Sequence, residues 1–168
     1  MSETTTLVST DEIAAYVGKK ARWYETKWAI AATRRSKHSW NWAAFLVGPF
    51  WMAYRGMYWH ALALFGIVFG LSLIEMLFFP NFFDSSQSNA IGIGVSVVLG
   101  LHGNSFYQAH VRRAITRLRP HSAPGDSFLA LLSVQGGTNW LAVIGFAVAF
   151  VFFCYATSLI HALVAAFR

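Results

Sequence analysis

Residues 140–166 read WLAVIGFAVAFVFFCYATSLIHALVAA, an apolar run without a single Lys, Arg, Asp or Glu. A helix needs about 20 such residues to cross the hydrocarbon core of a bilayer. Two further runs upstream have the same character, residues 58–79 and residues 90–111. The expected fold is an all-α membrane protein with three transmembrane helices. Composition agrees, because 56% of the chain is hydrophobic and only 12% is charged, about half the charge of an ordinary soluble domain.

The net charge of +6 is compatible with nucleic acid, so the placement of the charges decides. Lys and Arg cluster beside the apolar runs, which points to anionic lipid head groups at the cytoplasmic face and away from nucleic acid. The polar start MSETTTLVST carries no apolar core of a cleavable signal. Residues 1–9 read as a mobile tail, 10–57 as a cytoplasmic amphipathic helix with a Trp-rich segment, and 58–168 as the three-helix membrane domain. Cys154 is the one cysteine and excludes an internal disulfide.

Ser9 followed by Glu12 has the spacing of a capping box, opening a helix expected to run to about Arg35. Ile13, Val17, Ala21, Tyr24, Trp28 and Ala31 recur at three- and four-residue steps and give that helix an apolar face. The face is expected against the membrane or the body of the protein. Next comes Ser39–Tyr54, SWNWAAFLVGPFWMAY, apolar but short for a span, with Gly48-Pro49 at its centre. Arg34, Arg35 and Lys37 precede it and Arg55 follows, so an interfacial or re-entrant segment fits better than a crossing.

Orientation follows from charge. The loop PNFFDSSQSN has no Lys or Arg, whereas Arg112, Arg113, Arg117 and Arg119 follow the second span. With the N-terminus cytoplasmic and the C-terminus opposite, all of the 13 Lys and Arg residues except Arg168 lie inside. The seven tryptophans gather at the inner boundary, while Phe78, Phe79, Phe82 and Phe83 mark the outer rim. In the connector, Asp126 or Ser127 is expected to cap a short apolar helix, SFLALLSV.

Several constellations bear on function. Gly92, Ser96, Gly100 and Gly103 form a small-residue stripe on the second span, suited to close approach of another helix. Below it Asn104, Tyr107 and His110 step down one side as a polar ladder that needs partners in hydrocarbon. His102 shares no depth with another span histidine, while His60 and His110 could meet at the inner ends of their spans. Without nearby Cys, Asp or Glu that pair is a poor metal site, so neither metal nor cofactor is expected. Glu75 and His161 lie at similar outer depth and could pair. No Ser or Cys has His and acid partners in a recognisable arrangement, so catalysis is not expected.

The elements Trp40-Asn41-Trp42, Ala44-Phe45, Gly48-Pro49-Phe50-Trp51, Tyr54-Arg55 and Met57-Tyr58, with Gly103-Asn104 and Tyr107 later, resemble the signature of a bacterial membrane family known only as domain of unknown function 2628. The resemblance covers roughly residues 10–120. Gly56 stands where that family's pattern often has a basic residue. The resemblance implies a bacterial membrane protein and supplies no activity; the expected location is the inner membrane. In this frame Trp40, Asn41, Trp42, Trp51, Tyr54 and Arg55 form a lipid or partner contact platform. The expected function is a non-enzymatic accessory or scaffolding subunit packed against other membrane protein subunits. A homo-oligomeric channel or transporter, with the polar ladder lining a path, and a haem-binding electron carrier are the alternatives.

Overall fold

The structure is a computed structural model that describes residues 8–35, 38–78, 85–121 and 125–166. Every element among these residues is helical: α1 Thr10–Val17, α2 Ala21–Thr33, α3 Trp42–Tyr54, α4 Tyr58–Phe78, α5 Ser85–Leu118, α6 Asp126–Gln135 and α7 Trp140–Ala166. Three apolar stretches are long enough to cross a membrane, Tyr58–Glu75, Ala90–Leu118 and Asp126–Ile160, the last taking in α6 and most of α7. The outer-rim residues Phe79, Phe82 and Phe83, residues 1–7 of the expected tail, Lys37, Arg168 and the side chain of His161 lie outside the described set.

The N-terminal helix begins as its sequence dictates. Ser9 caps α1, its hydroxyl accepting from the Glu12 amide while the Glu12 carboxylate accepts from the Ser9 amide. It does not run unbroken to Arg35. Gly18, at φ 73°, ends α1, a 3-10 turn over Gly18–Lys20 follows, and α2 stops at Thr33. A left-handed backbone at Gly18 is open to glycine at little steric cost. The apolar stripe survives the bend, since Val17, Ala21, Tyr24, Trp28 and Ala31 are all buried. They face the body of the protein, against α5.

Segment α3 is the structural centre. Val47 and Gly48 leave helical geometry, so α3 is two short arms joined at a kink. Pro49 has no amide hydrogen to offer the ladder and is preorganised to start a helix, so the break falls just before it. The kink sits beside Leu99 of α5, and Phe50 meets Phe65 of α4 and Phe150 of α7 at centroid distances of 6.1 and 6.0 Å. Thus α3 packs against all three long helices. Farther along, α4 and α7 meet through stacked and edge-on phenylalanines, Phe65 with Phe146 and Phe69 with Phe153.

At the other end, α1 packs on both α6 and α5. Arg119 donates from Nη2 to both carboxylate oxygens of Glu12, at 2.9 and 2.8 Å. The α6–α7 turn docks by backbone, with the Gly137 amide donating to the Tyr16 carbonyl at 2.7 Å and the Asn139 amide to the Tyr54 carbonyl at 3.0 Å. A Cβ at Gly136 would stand 2.1 Å from the Tyr16 oxygen, so only glycine fits that approach. Gly125 occupies the cap position of α6, and neither Asp126 nor Ser127 caps it, because the helix starts one residue earlier than its apolar pattern suggests. Helix α5 also extends beyond the expected span at both ends, through Ser85 and through the Arg112–Arg117 cluster.

The core lies at this packed end, among Val17, Asn104, Tyr107, Val111, Ile115 and Leu132. Almost nothing of the long apolar stretches of α4 and α7 is buried. The close helix contact is tested by Gly103→Leu, since a Cβ there would stand 2.7 Å from the Ala44 Cβ. Overpacking should destabilise the protein by about 1–3 kcal/mol, read as a lower unfolding midpoint in detergent. Gly66→Ala, with nothing within 4 Å of its Cβ, should be no less stable than the parent.

Candidate functional site

Residues Ser39–Ala44 lock onto one turn of α5. The Asn41 backbone amide donates to the Gly100 carbonyl at 2.8 Å, and its side chain donates to Asn104 Oδ1 at 2.9 Å. Asn41 Oδ1 meanwhile accepts from the Ala44 amide at 3.0 Å, capping α3. Asn104 Nδ2 donates to the Ser39 hydroxyl at 2.9 Å and the Ser39 carbonyl at 3.1 Å. From α2, Trp28 Nε1 donates to the Asn104 carbonyl at 2.9 Å. Every side-chain polar atom of the two asparagines thereby has a partner, as burial demands.

This exchange needs two glycines. A Cβ at Gly100 would stand 3.0 Å from both the Phe45 Cβ and the Trp40 ring, and Gly103 faces Ala44. Gly100 and Gly103 are therefore occupied within the chain, by α3. Gly92 faces open space, and Ser96 lines an apolar cavity of about 300 Å³ beside the kink, with Gly48, Phe65, Leu99 and Phe150. The small-residue stripe thus divides into a half that receives α3 and a half that does not.

The polar ladder is built into the core. Asn104 and Tyr107 are 1% and 0% exposed, and Tyr107 is ringed by Tyr24, Trp28 and Trp51 at centroid distances of 4.7, 6.1 and 6.1 Å. His110 Nε2 lies 3.3 Å from the Tyr16 hydroxyl, and its ring is 6.0 Å from that of His60. His102 instead meets His38, at 4.2 Å between centroids, a neighbour invisible to reasoning about span histidines because His38 lies in the loop before α3. No group of three or more His, Cys, Asp or Glu suited to a metal occurs among the described residues.

Arg55, expected as a lipid or partner contact, is only 5% exposed. The guanidinium lies over the rings of Tyr24, Tyr107 and Tyr54, at 4.6, 5.2 and 5.6 Å from their centroids. Among the described residues its Nε and Nη1 have no hydrogen-bond partner, and neither does the Tyr107 hydroxyl. Burial pushes the Tyr24 phenol above its ordinary pKa even beside this cation, so Tyr24 stays neutral and supplies no counter-charge. Ring faces and the carbonyl end of α3 stabilise the cation instead.

Beside Arg55 opens a groove of about 600 Å³. Lys20 and Lys27 stand on its wall with Trp23, and Trp40, Trp42, Trp51, Tyr54 and Trp140 complete an aromatic lining that, among the described residues, contains no Asp or Glu. Of these rings Trp51 is buried, whereas Trp42 and Trp140 are largely exposed. The groove thus unites Trp40, Asn41, Trp42, Trp51, Tyr54 and Arg55, as the expected platform does, and adds Lys20, Trp23, Lys27 and Trp140 from elements distant in sequence. A second, polar cavity of about 60 Å³ lies against Arg55, between Tyr16, Tyr58 and the Gly136–Asn139 turn.

The sequence profile of DUF2628, a family of proteins of unknown function, matches residues 7–113. The chain belongs to this family. The matched region contains the whole asparagine lock and Arg55, and ends before α6 and α7. No curated protein and no solved structure matches the chain.

Removing Asn104 strands several buried partners at once. Asn104→Leu should cost about 1–3 kcal/mol per donor or acceptor left unpaired, with Asn41→Leu similarly costly. In a double-mutant cycle of unfolding free energies the two should couple by about 0.5–3 kcal/mol. Additive losses would show that the side chains act independently.

Proposed function

We propose that the protein is a non-enzymatic accessory or scaffolding subunit of the bacterial inner membrane, crossing it three times and packing against a larger membrane protein assembly. The supporting observation is on α4. Gly66 and Gly70 stand one turn apart, and among the described residues nothing beyond the helix's own nearby backbone lies within 4 Å of where a Cβ would be at either. Paired small residues at this spacing let a second helix approach closely. Gly100 and Gly103 show what such a surface does when filled, and on α4 the corresponding space is empty among the described residues.

In this reading α3 re-enters the membrane from the cytoplasmic side, and its kink reaches the level of Leu64–Val68, roughly 9–15 Å into α4 at 1.5 Å per residue. The N-terminus, the basic end of α5 and α6 lie in the cytoplasm, where positive charge is retained. The C-terminus lies opposite. The wedge holds α4 and α7 at fixed angles, so their outward faces form a rigid surface for neighbours and lipid.

Sizing after gentle solubilisation of native membranes tests the assembly. The parent protein should migrate with stoichiometric partners, and Gly66→Leu with Gly70→Leu should release it as a folded monomer. A parent protein that runs alone would sink the proposal. Orientation is checked separately with Cys154→Ala combined with Ser133→Cys, at an exposed position. A membrane-impermeant thiol reagent should label it only after cells are broken, and labelling of intact cells would reverse the topology.

A further inference from the structure

The groove beside Arg55 has features that subunit packing does not use. Its cations, Lys20, Lys27 and Arg55, are contributed by the turn before α2, α2 itself and the end of α3, and they converge on one opening. Glu25, the neighbour of Tyr24, is not part of the lining. A buried charge without an opposite partner is costly. Water in the small polar cavity on Arg55's other side can satisfy donors, yet it brings no counter-charge.

We infer that this groove binds an anionic glycerophospholipid, with the phosphate between Lys20, Lys27 and Arg55 and an acyl chain along Val47, Phe50 and Val143. The volume lies within the range of ligand sites. Free phosphate would leave the aromatic and aliphatic wall wet, whereas a diester with a hydrocarbon tail covers it. An acidic peptide would carry its backbone amides toward Val47 and Phe50, where no polar group can receive them. Those two residues also line the apolar cavity beside the kink, so a chain crossing them finds further hydrocarbon-compatible space.

Five of the seven tryptophans line the groove, which makes their fluorescence the readout. The full chain is reconstituted in phosphatidylcholine vesicles containing increasing fractions of phosphatidylglycerol or phosphatidylcholine with brominated acyl chains, which quench tryptophan on contact. The parent protein should be half-quenched at a markedly lower fraction of the anionic lipid. Lys20→Gln with Lys27→Gln should weaken that preference by about fivefold per lysine, from roughly 1 kcal/mol per basic residue at an anionic surface. Both lysines have solvent-accessible side chains, so the fold should persist. Arg112→Gln with Arg113→Gln, equal in charge and outside the groove, should leave the preference nearly intact.

Equal quenching by the two lipids overturns the inference. An equal loss in the Arg112 and Arg113 variant also overturns it, because the attraction would then be the general field of the basic face. Suppression of the preference by inorganic phosphate at constant ionic strength would assign the site to the free ion and refute the lipid. These outcomes are independent of the migration of the Gly66 and Gly70 variants.

Discussion

The fold turns on the exchange of hydrogen bonds between Ser39, Asn41 and Asn104. An asparagine in a long apolar helix must find partners, and here they are two residues of the loop that leads into α3. The exchange works only because Gly100 and Gly103 let that segment come within backbone distance, which brings the Asn41 amide onto the Gly100 carbonyl. Once Asn41 is fixed, its side chain caps α3 and sets where the first arm starts. Five helical residues, Trp42–Leu46, then carry the break at Val47 and Gly48 to Leu99, and the second arm is directed back toward Tyr107. The positions of α4 and α7 then follow from the residues that this wedge presents to them.

The same geometry explains how Arg55 is tolerated. The second arm ends beside Tyr107, so the residue after Tyr54 must lie where α2, α3 and α5 converge. Guanidinium suits that place better than an ammonium, because its flat face can lie on rings and it is less strongly hydrated. The tyrosines offer polarised faces but no negative charge. The site therefore stabilises the cation without neutralising it, and the residual field extends into a groove that already holds two lysines. A structural residue of the core is thus also the electrostatic floor of a surface feature.

Much of this was legible in the sequence, for identifiable reasons. Long apolar runs without charge have few alternatives to a membrane-length helix, so α4 and α7 were located closely. The Val17–Ala31 stripe marked its buried face because the bend at Gly18 does not destroy helical periodicity. Ser39–Tyr54 was harder: its apolar character is the same whether it faces lipid or protein, and only the matching of Asn41 with Asn104, distant in sequence, distinguishes the two. The glycine stripe announced close approach and not the identity of what approaches. Arg55 reads as a polar contact in the sequence, and nothing local reveals that three tyrosines from three helices will surround it. Lys20, Lys27 and Trp140 joined the groove for the same reason, since convergence in space leaves no mark at their own positions.

The molecule is densely packed at one end and open at the other, and the solvent explains the difference. At the packed end, polar loops and the helix termini of α1, α3 and α6 meet, and each buried amide or carbonyl needs a partner. Those requirements generate the asparagine exchange, the Gly136–Tyr16 approach and the Glu12–Arg119 pair. In the long apolar helices the backbone is satisfied internally, and a hydrocarbon surrounding would be as acceptable to Leu, Ile and Phe as a neighbouring helix. Close packing there is not demanded by the hydrophobic effect, so phenylalanine contacts between α4 and α7 suffice. What sets the arrangement of the open half is the wedge in the dense half, and it follows that changes at Asn104 or Gly103 should move helix faces far from either residue.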